Sequence, residues 1–294
     1  MSRPLCLALA QAPGRRPDDL EGFGRHASTT LRLFPQTQLL VYPELHLADD
    51  DTRPLEGSSV RDSAEPIADG PRHRYLSRLA ADLQVWLCPG SVSELGADGH
   101  VYNTAVVYSP RGQLVATYRK VFPWRPFEGA RPGREFVVFD IPQLGRVGLS
   151  ICYDAWFPES SRHLAWMGAE IILNVVKTAT VDREQEIVLA RANATVNQVF
   201  VASVNAAGPS GQGHSVLVGP EGTILSELPN ATPGILTAVV DLDTVDNARR
   251  FGSFGFTRPW SQFLPDDDPI PLPLYQGVIS PLTWSAANNR GQKS

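Results

Sequence analysis

Three side chains of complementary chemistry stand at the ends of strand-like runs in this 294-residue sequence. Glu44 follows the apolar run in LLVYPELHL, Lys120 follows VATYR in VATYRKVFPWRPFEGARPG, and Cys152 closes GRVGLSIC. A thiolate is a strong nucleophile, a carboxylate can take its proton and pass it on, and an ammonium can stabilise a developing oxyanion. Glu128 adds a second carboxylate in the segment after Lys120. Taken singly, Cys152 reads as a small buried residue ending a strand, and Glu44 or Lys120 as a solvated surface charge. Together they bring a base, a cation and a nucleophile to the strand ends of one α/β sheet edge, where sites are commonly built.

Short β-rich runs must deliver these residues. Strand candidates are Leu5–Ala10, Leu39–Tyr42, Val85–Cys88, Tyr102–Tyr108, Val115–Tyr118, Phe136–Phe139, Val147–Ile151, Ile171–Val175, Val199–Val204, Ser215–Val218 and Leu236–Val240. Helices fit Leu20–Leu33, with Asp18 and Asp19 as N-cap candidates, then Pro71–Leu83, Pro158–Met167 and Arg183–Asn197. This alternation predicts an α/β layered fold with largely buried sheets. Pro110-Arg111-Gly112 and Pro220-Glu221-Gly222 read as hairpin turns, so part of the sheet is antiparallel and two sheets are expected. Cys152 then lies at a strand-to-helix elbow, where a thiol is partly exposed and peptide dipoles favour its thiolate.

A net charge of -5 and dispersed Lys and Arg residues give no footprint for nucleic acid or anionic lipid. No apolar stretch approaches the roughly 20 residues of a membrane span, and Leu5–Ala10 is too short for a signal-peptide core, so a cytoplasmic protein is expected. Cys6, Cys88 and Cys152 match neither a disulfide framework nor metal-ligand spacing. The expected organisation is one domain over residues 1–250 and an aromatic, Pro-rich arm over 251–294. The arm carries Phe251, Phe254, Phe256, Trp260, Phe263, Leu272 and Tyr275, which call for packing on the domain or on a partner subunit.

The motifs YPE around Glu44, YRK around Lys120, and SICYD followed by FPE and GAE resemble those of the nitrilase, or carbon–nitrogen hydrolase, superfamily. VNQVFVASVNAAG, GHSVLVGPEG and VVDLDTVDNAR extend the resemblance over nearly all of residues 4–250. KVFPWRPFEG with CYDAWFPE and GHS is most similar to the aliphatic amidase and formamidase branch. The resemblance implies a four-layer αββα sandwich and a homodimer or higher homo-oligomer. It also implies Cys152 as nucleophile, Glu44 as general base, Lys120 as electrostatic stabiliser and Glu128 as the carboxylate beside them. Two departures stand out: Asn193 and Val196 replace an Arg and a Glu of the family's helix, and VVKTATV after Asn174 lacks a common Pro-Ser.

The implied reaction converts a small-molecule amide to a carboxylic acid and ammonia through a Cys152 thioester, and calls for neither metal nor cofactor. Trp124, Tyr153, Trp156 and Phe157 are candidates to line the acyl pocket. A nitrilase or an N-carbamoyl hydrolase could use the same residues, the latter with Arg125 or Lys177 clamping a substrate carboxylate. A binding or scaffold protein that kept the fold without turnover would have little reason to retain all four site residues. His46, His163 and His214 raise a Cys–His alternative, but no papain-type signature surrounds Cys152. His46 shares the face of Glu44 if that segment stays extended.

Overall fold

The computed structural model of the chain describes residues 2–48, 63–252, 255–272 and 277–279. They belong to two compact units, residues 1–259 and 260–294. In the first, the elements run β1 (Pro4–Gln11), α1 (Leu20–Leu33), β2 (Leu39–Val41), α2 (Pro71–Leu83), β3 (Trp86–Cys88), β4 (Ser91–Leu95), β5 (Val101–Tyr108) and β6 (Leu114–Arg119). They continue β7 (Val138–Ile141), β8 (Gly145–Ile151), a 3-10 turn (Cys152–Trp156), α3 (Pro158–Trp166), β9 (Ile171–Val176), α4 (Arg183–Asn197) and β10 (Phe200–Asn205). The unit closes with β11 (Val216–Val218), β12 (Ile224–Glu227), β13 (Gly234–Asp241) and α5 (Asp243–Phe251).

Two sheets stack face to face. The first runs β13-β1-β2-β3-β5-β4 with β6 beside β5, and the second runs β12-β11-β10-β9-β8-β7. Parallel pairs β1–β2–β3 and β8–β9–β10 are joined through α1, α2, α3 and α4; the remaining pairs are antiparallel. Strand alternation sorts the side chains between layers. Leu5, Leu7 and Leu9 of β1 meet Ile171, Leu173 and Val175 of β9 in the core between the sheets. Ala8 and Ala10, on the opposite face of β1, join Phe23 and Ala27 of α1 and Leu76 and Leu79 of α2. Gly148 lets α3 press onto the second sheet, since a Cβ there would lie 3.2 Å from atoms of both Leu164 and Ala169. The result is the expected four-layer αββα sandwich.

Local signals account for most boundaries. Asp19 caps α1 by accepting from the Gly22 N–H at 3.0 Å, and Pro71 and Pro158 open α2 and α3, where a missing N–H costs nothing. Both Pro-X-Gly segments form their hairpins, β5–β6 and β11–β12. Three elements lie outside the strand and helix ranges expected from the sequence. Ser91–Leu95 is a strand although polar, because Glu94 accepts from Thr104 at 2.5 Å and from Arg119 Nε at 2.9 Å, satisfying a charge on the sheet. Ile224–Glu227 is an edge strand with alternately exposed residues, and Asp243–Phe251 is a helix whose apolar contribution is confined to Val245 and Ala248. The strand placed at Phe136–Phe139 lies instead at Val138–Ile141.

Phe254 and Tyr275 of the C-terminal segment lie outside the described residues. Among the described residues no helix is long and apolar enough to cross a membrane.

Candidate active site

Lys120 follows β6 and is held by its neighbour strand: its backbone N–H donates to Asn103 O of β5 at 2.9 Å. Its ammonium reaches Glu44 Oε1 at 2.9 Å and Glu128 Oε2 at 2.6 Å. Asn103 closes the cluster, its Nδ2 donating to Glu44 Oε1 at 2.8 Å and to Glu128 Oε1 at 2.9 Å. Glu128 also accepts from the Trp124 N–H at 3.0 Å, and Glu44 Oε2 from the Lys177 N–H at 3.0 Å. Lys120 and Glu44 are only 2% and 5% exposed, so each charge depends on its partners rather than on water. Burial is the largest influence on Lys120 and opposes its charge, yet Glu44, Cys152 and Glu128 together hold its pKa well above the ordinary lysine value. Burial pushes Glu128 the other way, but Lys120 and Asn103 bring it below the ordinary carboxylate value. The cluster is a fixed cation between two carboxylates.

Cys152 comes from the second sheet. Val147, Leu149 and Ile151 of β8 face the inter-sheet core, and the chain then turns sharply, with Cys152 at φ 45°. A non-glycine residue in this left-handed region is uncommon and must be held by its surroundings. Asp154 supplies much of that hold. Its carboxylate accepts from the Ile151 N–H at 2.9 Å, the Phe122 N–H at 2.8 Å and the Tyr118 hydroxyl at 2.7 Å. Asn174 donates to Cys152 O at 3.4 Å. Asp154 is fully buried, which pushes its carboxyl up to about 6 against the opposing influence of Lys120 and its donors. Burial, followed by the negative charge of Glu44, likewise raises the Cys152 thiol well above its ordinary value, while Lys120 works against the rise. The sulfur lies 3.7 Å from Thr178 Oγ1 and 4.0 Å from Glu186 Oε1.

Glu44, Lys120, Glu128 and Cys152 line a single cavity of about 300 Å³. Trp124 lines it as well, with Phe127, His100, Arg131 and Lys177 toward its other walls. Tyr153, Trp156 and Phe157 are not among the lining residues; they pack with one another, and Phe157 stacks on Phe122 at 3.7 Å between centroids. Arg125 is exposed and does not line the cavity. His46 turns away from Glu44 because Leu45, at φ 48°, breaks the extended run; its ring packs on Phe23 and Tyr42 in the helix-covered layer. Burial lowers its pKa well below the ordinary histidine value, so it is a neutral core residue. His163 is exposed on α3 against Phe136, and His214 contributes its carbonyl to Arg183. Asn193 donates to Ala155 O at 3.0 Å, tying α4 to the turn that carries Cys152, whereas Val196 is 48% exposed. Among the described residues no cluster of three or more His, Cys, Asp or Glu side chains is placed to hold a metal ion.

Asn103, Thr178 and Glu186 escape the sequence reading. Asn103 is one polar residue inside the apolar VYNTAVVY, and a buried polar group in a strand was the available signal.

Residues 6–250 match the family described as carbon-nitrogen hydrolase. A formamidase from Bradyrhizobium sp. (strain ORS 278) is 32% identical over 222 residues, covering 72% of this chain but 62% of the formamidase. The chain thus spans less than two thirds of that relative's length. A probable nitrilase from Schizosaccharomyces pombe (strain 972) is 25% identical over 282 residues, covering 94% of this chain and 98% of the relative. Among solved structures, Saccharomyces cerevisiae Nit3, of branch 10 of the nitrilase superfamily, aligns with a TM-score of 0.76 at 27% identity, covering 84% of this chain and 94% of Nit3. A cysteine-to-alanine mutant of the Nesterenkonia sp. AN1 amidase in complex with butyramide aligns with a TM-score of 0.69 at 26% identity, covering 84% of this chain and 95% of that amidase. The chain belongs to the carbon–nitrogen hydrolase family, within the nitrilase superfamily and similar to its amidase and formamidase branch.

Proposed function

We propose that this hydrolase cleaves linear amides of small carboxylic acids, releasing ammonia, through a thioester on Cys152. The observation that carries the reading is the buried Lys120 cation, fixed between Glu44 and Glu128 in the cavity that Cys152 lines. Glu44 takes the thiol proton as the sulfur attacks the amide carbon. The carbonyl oxygen becomes an oxyanion, stabilised by Lys120 and the backbone N–H of Tyr153, worth typically about 10²–10³ in turnover per donor. Collapse breaks the C–N bond, and Glu44 returns the proton to the departing ammonia. Water, deprotonated by the same Glu44, then attacks the thioester, releasing the acid and restoring the thiol.

Glu128 gives the amide preference over a nitrile. Its carboxylate, drawn in by Lys120 and Asn103, can accept a hydrogen bond from a substrate NH₂, which a nitrile nitrogen cannot offer. A charge-assisted hydrogen bond contributes roughly 1.5–3 kcal/mol, or one to two orders of magnitude at about 1.4 kcal/mol per tenfold. The cavity of about 300 Å³ has room for an acyl group beyond formyl or acetyl. Ammonia release measured side by side for matched amide, nitrile and N-carbamoyl compounds tests the assignment. The amide should show the highest kcat/KM; a nitrile or carbamoyl compound in that place rejects it.

A further inference from the structure

The mechanism above leaves one buried carboxylate beside the sulfur unused. Glu186, in the first turn of α4, is 4% exposed and points its Oε1 at Cys152 Sγ, 4.0 Å away. The same oxygen accepts the Thr178 hydroxyl at 2.8 Å, and Thr178 Oγ1 lies 3.7 Å from the sulfur. Behind them, Arg183 Nη1 donates to Glu186 Oε2 at 3.0 Å. Arg183 is itself 1% exposed and is fixed by Ser203 Oγ at 3.0 Å and His214 O at 2.8 Å. Thr178 is anchored from the second sheet, its N–H donating to Asn205 Oδ1 at 2.8 Å. A buried carboxylate this well supported is costly to keep unless it is paired, and here its free face is turned to the nucleophile.

We propose that Thr178 and Glu186 form a resting-state switch for the nucleophile: Glu186 holds Cys152 as the thiol, and the Thr178 hydroxyl turns from Glu186 to the sulfur once the thiolate forms. In the resting arrangement Thr178 donates to Glu186, which leaves its oxygen lone pairs for the S–H proton. When Glu44 removes that proton, rotation about the Thr178 C–O bond redirects the O–H to the sulfur, and no bond other than S–H is broken. Both are positioning residues, since neither touches the substrate carbon. The charged groups acting on the sulfur are Glu44 from the segment after β2, Lys120 after β6, and Glu186 with Arg183 from α4. Glu128, Lys177, Arg131 and His100 line the same cavity, and Asp154 lies in the turn carrying the sulfur. Glu44 and Glu186 favour the thiol; Lys120 and the Thr178 hydroxyl favour the thiolate.

The inference rests on Cys152 as the nucleophile, and its test is read without turnover, so the two readings fail separately. The pH dependence of Cys152 modification by methyl methanethiosulfonate is followed in the substrate-free protein by peptide mass mapping. Glu186→Gln removes a negative charge but keeps an acceptor for Thr178, so the thiolate midpoint should fall by about one pH unit, roughly tenfold faster modification at neutral pH. Thr178→Val removes the donor to the thiolate and keeps Glu186–Arg183 intact, so the midpoint should rise and modification should slow. Loosened packing alone would hydrate the sulfur and lower both midpoints together. Opposite shifts support the switch; parallel shifts, or none in folded variants, overturn it. If Glu186→Gln alone fails to fold because Arg183 is stranded, pairing it with Arg183→Met should still lower the midpoint. If neither form folds, Thr178→Val decides: an unchanged or lower midpoint overturns the proposal.

Discussion

The two sheets bring unlike halves to the cavity. The first sheet contributes Glu44, Lys120, Glu128 and Asn103, joined by contacts of 2.6–2.9 Å that fix every charge. The second contributes Cys152, whose sulfur has, among the described residues, the longer contacts of 3.7 and 4.0 Å to Thr178 and Glu186. Rigid hydrogen bonding on one side means that the charges need no reorganisation when an oxyanion develops. Looser contacts on the other leave the sulfur free to approach a carbon. The backbone inverts the pattern: the left-handed turn at Cys152 is pinned by three donors to Asp154, so the freedom belongs to the sulfur and not to the chain.

Removing the sulfur should have the largest effect on activity. Cys152→Ala is expected to abolish ammonia release while leaving the unfolding midpoint near wild type, because it removes a single sulfur atom that makes, among the described residues, contacts of 3.7 and 4.0 Å. Residual turnover above a few per cent would assign the nucleophile elsewhere. Breaking the rigid half should cost both activity and stability. Lys120→Met leaves Glu44 and Glu128 buried around Asn103 with no cation, which should lower turnover by about 10²–10³ and stability by about 3–5 kcal/mol in urea unfolding. A variant as stable as wild type would show that the cluster contributes no buried ion pairing.

The anchor beneath the sulfur can be separated by pH. The Asp154 carboxyl, pushed up to about 6 from 3.8, stays protonated in the folded protein where the unfolded chain has released its proton. Its contribution is therefore full below about pH 4 and is lost as pH rises through about 6, on the order of 3 kcal/mol in total. Asp154→Asn should remove that fall, so wild type and variant should diverge in urea unfolding between pH 4 and 7; parallel curves would contradict it. The smallest effects belong to the other thiols. Cys6→Ala and Cys88→Ala should retain activity, Cys88 with a modest stability loss because it is fully buried between the sheets.

The rigid half was the more legible in the sequence. Glu44 and Lys120 of that half each follow a strand, as Cys152 does on the other, and a strand end is where periodicity stops and a charged or reactive side chain becomes visible. Asn103 sits mid-strand, and only the β5–β6 register, which sets Lys120 beside it, gives it meaning. Thr178 and Glu186 were hidden for a different reason. The first turn of α4 buries Arg183 and Glu186, so its inward face is charged, and an apolar stripe does not mark it. The same cause concealed β4, where buried Ser91, Ser93 and Glu94 replace the apolar alternation expected of a strand. Aromatic residues near the nucleophile misled in the opposite direction: proximity in sequence suggested Tyr153, Trp156 and Phe157 for the pocket, but the 3-10 turn packs them against Phe122 and each other.

Transfer of the acyl group to the sulfur of Cys152 can be seen by acid-quenching the protein during turnover of a small primary amide and weighing the intact chain and its peptides. A transient adduct of the acyl mass is expected on the peptide containing Cys152 and is absent from Cys152→Ala. Ammonia release with no such adduct in a burst-phase time course, or an adduct on Cys6 or Cys88, would contradict it.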